Sequence, residues 1–335
     1  MRPFSRRPSG FFRAVGGFSL LEVLITLMVL LIIFVALIEF MTDVGRVWKA
    51  TANDPYAEAE DAFSVLARNL STATLEPYSD YTDATGNFRT NAAPAFVPDH
   101  PARRSDLAFV CGPGGELLSS GRSVTGSAIF FLAPHGYTRT YAHEGMERLL
   151  NALGYFVEFG DDPGPAFFST GHSWRWRLKQ IVQPAESLHV FEPVSSAAWI
   201  QQVAPSGFAA PVLAENIATL LVLPERTAHD EGTPLSSDFR YDSRDAAQPL
   251  TRNQLPPRLR LVLVAIDGDS ARRLALHYGS QPPPLVPEGL FREAALLDSD
   301  LATLDNALNA QKTGHRIFDR HIALTSSAWS ETTSP

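Results

Sequence analysis

The sequence predicts an α+β protein, with helices at its N-terminal end and a mostly antiparallel β-sheet body behind them. Three observations carry this. Residues 18–38 (FSLLEVLITLMVLLIIFVALI) form an apolar run of 21 residues. As a helix it would reach roughly 31 Å, about one bilayer core. Apolar or small residues then recur at Ala59, Ala62, Phe63, Leu66, Leu70 and Ala73, the period of an amphipathic helix. After Leu75, short apolar segments recur without regular helical patterns between them, which favours antiparallel pairing over a doubly wound sheet.

Composition narrows the function classes. The chain has 335 residues, 45 % of them hydrophobic, and a net charge of −8. That is enough apolar material for one large domain or two smaller ones. The acidic balance argues against a general nucleic-acid binder, because phosphate backbones call for Lys and Arg. A single cysteine, Cys111, excludes an internal disulfide framework and a zinc site built on cysteine pairs. The charge is unevenly placed. Residues 1–17 hold Arg2, Arg6, Arg7 and Arg13 and no acid, so the rest of the chain carries −12. A basic head before an apolar run orients a membrane-crossing chain with its head in the cytoplasm. A secretory signal peptide would have a shorter apolar stretch followed by a small-residue cleavage site, and no such site follows here.

Glu22 lies five residues into the apolar run. A carboxylate there is costly in lipid and needs a partner, unless it snorkels to the interface or complements the helix dipole. The context is a basic leader, then Gly16-Gly17, then Phe-Ser-Leu-Leu-Glu-Val and an apolar helix.

The stretch GFSLLEVLITLMVLL resembles the processing site of type IV prepilins and type II secretion pseudopilins. In that family a membrane peptidase cuts after the glycine and methylates the new amino terminus. The resemblance implies a cut between Gly17 and Phe18, with Glu22 as the fifth residue of the mature chain. Leu20, Leu21, Val23 and Leu24 would supply the packing surface around it. Removing the leader would take away all four arginines, and Glu22 of one subunit could then neutralise the Phe18 amine of a neighbour.

Further stretches add to the likeness. Residues 62–78 (AFSVLARNLSTATLEPY) resemble J-type minor pseudopilins, as do residues 213–224 followed by LPPRLRLVLVAIDG. The closing GHRIFDRHIALTSSAW resembles the Verru_Chthon cassette protein C group of Verrucomicrobia. Together they imply a pilin-like plan. After a leader at 1–17 comes one long N-terminal helix, transmembrane over 18–41 and exported over 42–75. It packs on a periplasmic β-rich body at 76–330, with a loose tail at 331–335.

The function implied is that of a minor subunit at or near the tip of a type II secretion-like or type IV pilus-like filament. It would sit in the bacterial inner membrane with its body in the periplasm. Its partners would be a prepilin peptidase and other pilins or pseudopilins, with no nucleic acid. The alternative is a single-pass envelope protein whose body binds a ligand or surface partner without assembling.

Within the body, strands are expected at 106–111, 127–132, 154–159, 174–182, 217–223, 258–266 and 316–324, and a helix at about 299–311. Residues 76–104 and 227–254 read as loops, rich in polar and turn-forming residues. In the strand at 174–182, Trp174, Trp176 and Leu178 alternate with Arg175, Arg177 and Lys179, as in a strand with one buried and one solvent face. Leu259, Leu261, Leu263 and Ala265 share a face in the same way. Upstream, Asn53 or Asp54 is the expected cap of the amphipathic helix, with Pro55 in its first turn.

No catalytic constellation emerges. Cys111 ends an apolar strand without a flanking motif, as a buried inert thiol does. His143-Glu144 lacks the second histidine of H-E-x-x-H, and His315 and His321 fit no common ligand spacing. The turn Gly112-Pro113-Gly114-Gly115 does not complete a phosphate-binding glycine pattern. Two acidic pairs, Asp267 with Asp269 and Asp238 with Asp242, are the candidates for calcium, although neither matches an EF-hand. No other cofactor or metal is expected.

Overall fold

The computed structural model describes Leu20, residues 24–34 and residues 54–335, apart from 90–95, 120, 144, 147, 162–173, 193–194, 227–232 and 332–335. The chain divides into two compact units, Met1–Asp54 and Pro55–Pro335.

In the first unit, Leu20 and residues 24–34 (α1) are helical. Among the described residues the expected long N-terminal helix is not present. The described helix has 11 residues and reaches roughly 16 Å. Among the described residues no helix is long and apolar enough to cross a membrane. The pilin-like plan is corrected in a second place, at Pro55. Proline has no N–H and disfavours helical geometry at the residue before it. Asp54 is non-helical, Pro55 and Tyr56 form a turn, and the next helix, α2, starts afresh at Ala57–Ser71. Asn53 lies outside the described residues, and Asp54 stands two residues ahead of the N-cap position. Tyr56 holds the N-cap position without a side-chain bond, and Glu58 and Glu60 lie in the first turn, where they complement the positive end of the helix dipole.

The second unit is α+β, and every strand pairing among the described residues is antiparallel. Its largest sheet runs β7(Val212–Glu215)–β6(Trp174–Gln183)–β5(Leu150–Asp161)–β4(Ser123–Pro134)–β3(Phe109–Pro113)–β9(Tyr241–Asp242). A second sheet runs β11(His315–Ala323)–β10(Arg258–Ile266)–β8(Ile217–Glu225). A two-stranded ribbon, β1(Tyr78–Thr82) with β2(His100–Arg104), stands apart.

α2 joins the two larger sheets. Ala59, Ala62, Phe63, Leu66, Leu70 and Ala73, the positions the periodicity marks, are all buried in one core with residues of both. On one side Phe63 meets Phe318 of β11 at 5.7 Å. On the other, Asn69 donates to the Tyr155 hydroxyl of β5 at 2.7 Å, and Gln180 of β6 donates to the same oxygen at 2.8 Å.

The two sheets touch directly where β4 meets β8. Gly126 has φ +67, and a Cβ there would fall 2.2 Å from the Leu220 carbonyl oxygen. The next residue, Ser127, accepts from Val222 N–H across the seam at 3.2 Å. Beyond β4, α4 (Ser196–Val203) is capped by Ser195, which accepts from Ala198 N–H. It drives Trp199 edge-on against Phe130. The Phe130 ring in turn lies over Gly154, where a Cβ would be 2.5 Å from a ring carbon.

The three-stranded sheet is covered on both faces. Leu259, Leu261, Leu263 and Ala265 face the α2 core. Val262, Val264 and Ile266 face a second core with α5 (Gly268–Tyr278) and α6 (Leu297–Ala310), lined by Ala271, Leu297, Leu301, Leu304 and Leu308. α6 spans the region where the sequence expects a helix. α5 was not expected: only Ser270 and Ala271 of it are buried, so its apolar stripe is too narrow to read.

Other expectations change too. Residues 76–104 are not simply a loop, because β1 and β2 lie within them. Residues 227–254 include β9 and the buried Phe239 and Tyr241. The glycine turn opens a four-residue helix, α3 (Gly114–Leu117). Arg177 does not face solvent: it is 1 % exposed.

Two predictions follow from the packing of β4 and α2. Gly126→Ala is expected to destabilise the full chain by about 3 kcal/mol, through clash and positive φ together. Gly115→Ala, at an exposed position with open space around it, is expected to stay within about 0.5 kcal/mol of wild type. Urea unfolding of both variants checks this. Burial pushes the Tyr155 phenol up to about 12 from its ordinary 10. The folded state thus keeps a proton that the unfolded chain loses. This contribution is fully present below about pH 10 and is lost as pH rises through about 12. The stability gap between wild type and Tyr155→Phe, read from urea midpoints, is expected to narrow over that window.

Candidate functional site

Of the motif residues, Gly17, Phe18, Leu21, Glu22 and Val23 lie outside the described residues. Leu20 and Leu24 are described, and both are helical and exposed, at 83 % and 58 %. Every residue of α1 is exposed. Leu24, Ile25, Leu27, Met28 and Val29 lie between 50 % and 64 %, and Leu30, Leu31, Ile32, Ile33 and Phe34 between 55 % and 66 %. These residues occupy successive positions and therefore all sides of the helix. A helix apolar all round belongs in a core or in lipid.

Elsewhere, the sequence-marked chemistry resolves into structural roles. Cys111 is buried in β3, 3.8 Å from the Phe239 carbonyl. Burial, helped by the nearby Asp242 carboxylate, pushes its thiol far above the ordinary range. It is thus a protonated, unreactive side chain.

The acidic pairs do not act as pairs. Asp267 is the N-cap of α5, accepting from Ser270 N–H at 2.7 Å and Ser270 Oγ at 2.8 Å. Asp269 pairs with Arg272 on the surface. Asp238 pairs with Arg240. Asp242 accepts from Ser196 Oγ and Arg244 N–H, both at 2.8 Å, and burial raises its carboxyl above the usual range. Among the described residues no three His, Cys, Asp or Glu side chains are grouped to hold a metal.

Two charge clusters were invisible in the sequence. Glu225 of β8 is 1 % exposed. It accepts from Arg258 Nε of β10 at 2.9 Å and faces His321 Nδ1 of β11 at 2.8 Å. Strand register brings Arg258 opposite Glu225, with β11 on the far side of β10. A second cluster lies on β6 and β7. Glu215 pairs with Arg175 and with the buried Arg177, each at 3.1 Å, and Arg177 also donates to the Gly160 carbonyl at 2.6 Å. The expected alternation of β6 does not hold: Trp174, Arg175 and Trp176 are all half-buried and Arg177 and Leu178 are both buried, because the β7 edge supplies a carboxylate that lets an arginine stay inside. Such clusters hold strands in register.

No protein-family model matches the chain, and no curated protein or solved structure matches it.

Removing one member of a buried ion pair strands the other charge. Glu225→Gln is therefore expected to cost about 3 kcal/mol in urea unfolding. A loss below about 1 kcal/mol would mean that Arg258 and His321 are solvated without it.

Proposed function

We propose that the chain is a prepilin-like minor subunit, cut after Gly17 by a prepilin peptidase and methylated on Phe18. It then assembles through its apolar N-terminal segment into a type II secretion-like or type IV pilus-like filament, at or near the tip. The subunit is held at the bacterial inner membrane, with the arginine-bearing leader in the cytoplasm and the body in the periplasm.

One observation carries this reading: a carboxylate, Glu22, stands inside an apolar run that directly follows Gly17 and a leader with four arginines and no acid. An isolated carboxylate in lipid penalises a lone subunit. Cleavage creates an amine at Phe18 that can offset that charge on a neighbour, so the same residue favours assembly. Residues 24–34 support the reading from a second side, since a surface apolar all round is satisfied by lipid tails or by other apolar helices. The mutually packed body needs no filament to cover its own core, which suits a subunit that displays a large domain.

Intact-mass and N-terminal analysis of the full chain from native membranes tests this. The expected mature chain begins at N-methylated Phe18. Glu22→Ala is expected to leave cleavage intact and to remove the subunit from cross-linked assemblies. A chain that retains Met1 to Gly17 in the native membrane overturns the proposal, and a cleaved Glu22→Ala chain that assembles normally overturns the role of Glu22.

A further inference from the structure

The six-stranded sheet has an edge that its own last strand leaves open. β6 runs for ten residues, and β7 pairs only with Arg177 to Lys179 of it. The next residue, Gln180, donates its N–H to the Pro211 carbonyl at 3.0 Å. Pro211 has no N–H to return, and the pairing stops there. The Gln180 N–H therefore points away from β5. In an antiparallel strand the backbone groups of every second residue point to the same side, so Val182 turns its N–H and its carbonyl to the open edge. Among the described residues nothing bonds to either on that side.

Open edges recruit other strands and are ordinarily guarded by charge or proline. β11, the edge of the smaller sheet, carries Arg316, Asp319 and Arg320. Gln180-Ile181-Val182-Gln183 has no charge and no proline. A cleft of about 310 Å³ lies over this stretch. It is walled by Tyr137 and Arg139 from the β4–β5 connection and by Phe208 and Pro211 ahead of β7. Tyr137 and Phe208 are 40 % and 43 % exposed, so two aromatic rings are open to contact beside the free backbone groups.

The cleft also has a sign. His135 and Arg139 line it, and no acid does. Both side chains are exposed, and among the described residues neither pairs with a carboxylate. Glu186 is bonded to the same connection but lies outside the lining. It accepts from the Arg139 N–H at 2.7 Å and from Thr138 Oγ1 and Thr140 Oγ1 at 3.2 Å, bonds that hold the connection in place.

We propose that the Val182 edge of β6 is a docking site for an extended, acidic segment of a partner protein, added to the sheet as a further strand. Main-chain bonds to Val182 supply the attachment, as in strand addition to any exposed sheet edge. A carboxylate on the incoming segment meets Arg139 and His135 and sets the preference for an acidic sequence. A second copy of the chain fits less well, because a two-fold pairing puts the same basic patch on both sides of the interface. The inference needs neither cleavage at Gly17 nor filament assembly.

The test is a titration of the full chain in detergent micelles, read by the anisotropy of labelled peptides. The first probe is Thr-Val-Asp-Val-Thr, capped at both ends. The second has Lys in place of Asp. The third is the Asp peptide N-methylated at Asp and the following Val, which removes a donor from either edge of the strand. The Asp peptide is expected to bind at one site, and the other two at least about tenfold more weakly. Val182→Pro removes only a free N–H, so the variant is expected to keep its Tm and to bind the Asp peptide about tenfold more weakly or less. Arg139→Gln is expected to weaken the Asp peptide about fivefold and to leave the Lys peptide no weaker. No binding of the Asp peptide at about 1 mM overturns the proposal. So does equal binding of the N-methylated or the Lys peptide, or wild-type affinity in either variant. A dimer of the full chain that Val182→Pro dissolves assigns the edge to a second copy and overturns the assigned partner. Where Val182→Pro fails to fold, the N-methylated peptide and Arg139→Gln carry the test.

Discussion

The body depends on the burial of one face of α2. Ala59, Ala62, Phe63, Leu66 and Leu70 form a stripe that a helix of 15 residues cannot cover by itself, and a short isolated helix has little stability of its own in water. Two sheets supply the cover. The six-stranded sheet offers Tyr155 to Asn69, and the three-stranded sheet offers Phe318 to Phe63. Because both lean on the same helix, the edge strand β8 is brought against β4, an interior strand of the larger sheet, and this is where β4 must yield. Gly126 lets the backbone approach Leu220, and Ser127 satisfies the Val222 N–H that β8 presents to the seam.

The same logic places the second layer. A strand such as β10, apolar on both sides, needs cover on both. α2 covers one face and α5 with α6 the other. Polar groups enter this interior only with partners. Glu225 is met by Arg258 and His321, and Arg177 by Glu215 and a backbone carbonyl. Both clusters sit where neighbouring strands bring distant residues side by side, so they penalise a slip in register as well as a lost charge.

Much of this was legible in the sequence, for a physical reason. Period-2 and period-3.6 patterns report burial directly. The buried positions of α2, the four alternating residues of β10 and the helix around Leu301, Leu304 and Leu308 are where the pattern puts them. What the pattern could not report was pairing. The β1–β2 ribbon is polar because it is mostly exposed, so it resembles a loop. β9 is two residues long and has no period. Arg177 reads as a solvent residue until β7 is laid beside it. The long N-terminal helix failed for a different reason. Apolar content and a family resemblance speak to what a segment prefers as surroundings, whereas Pro55, in the turn ahead of α2, disfavours helical geometry at Asp54.

The two units thus have opposite needs. Residues 24–34 expose apolar surface on all sides, and residues 55–335 bury theirs around α2. If α2 is the element both sheets rest on, it must open only when they do. Hydrogen exchange of the full chain, followed amide by amide, measures this. Amides of Phe63 to Leu70 are predicted to exchange as slowly as those of β5 and β10, through one shared global opening. Exchange in α2 that is faster by orders of magnitude, with β5 and β10 still protected, would show that the sheets stand without it and would contradict its central place.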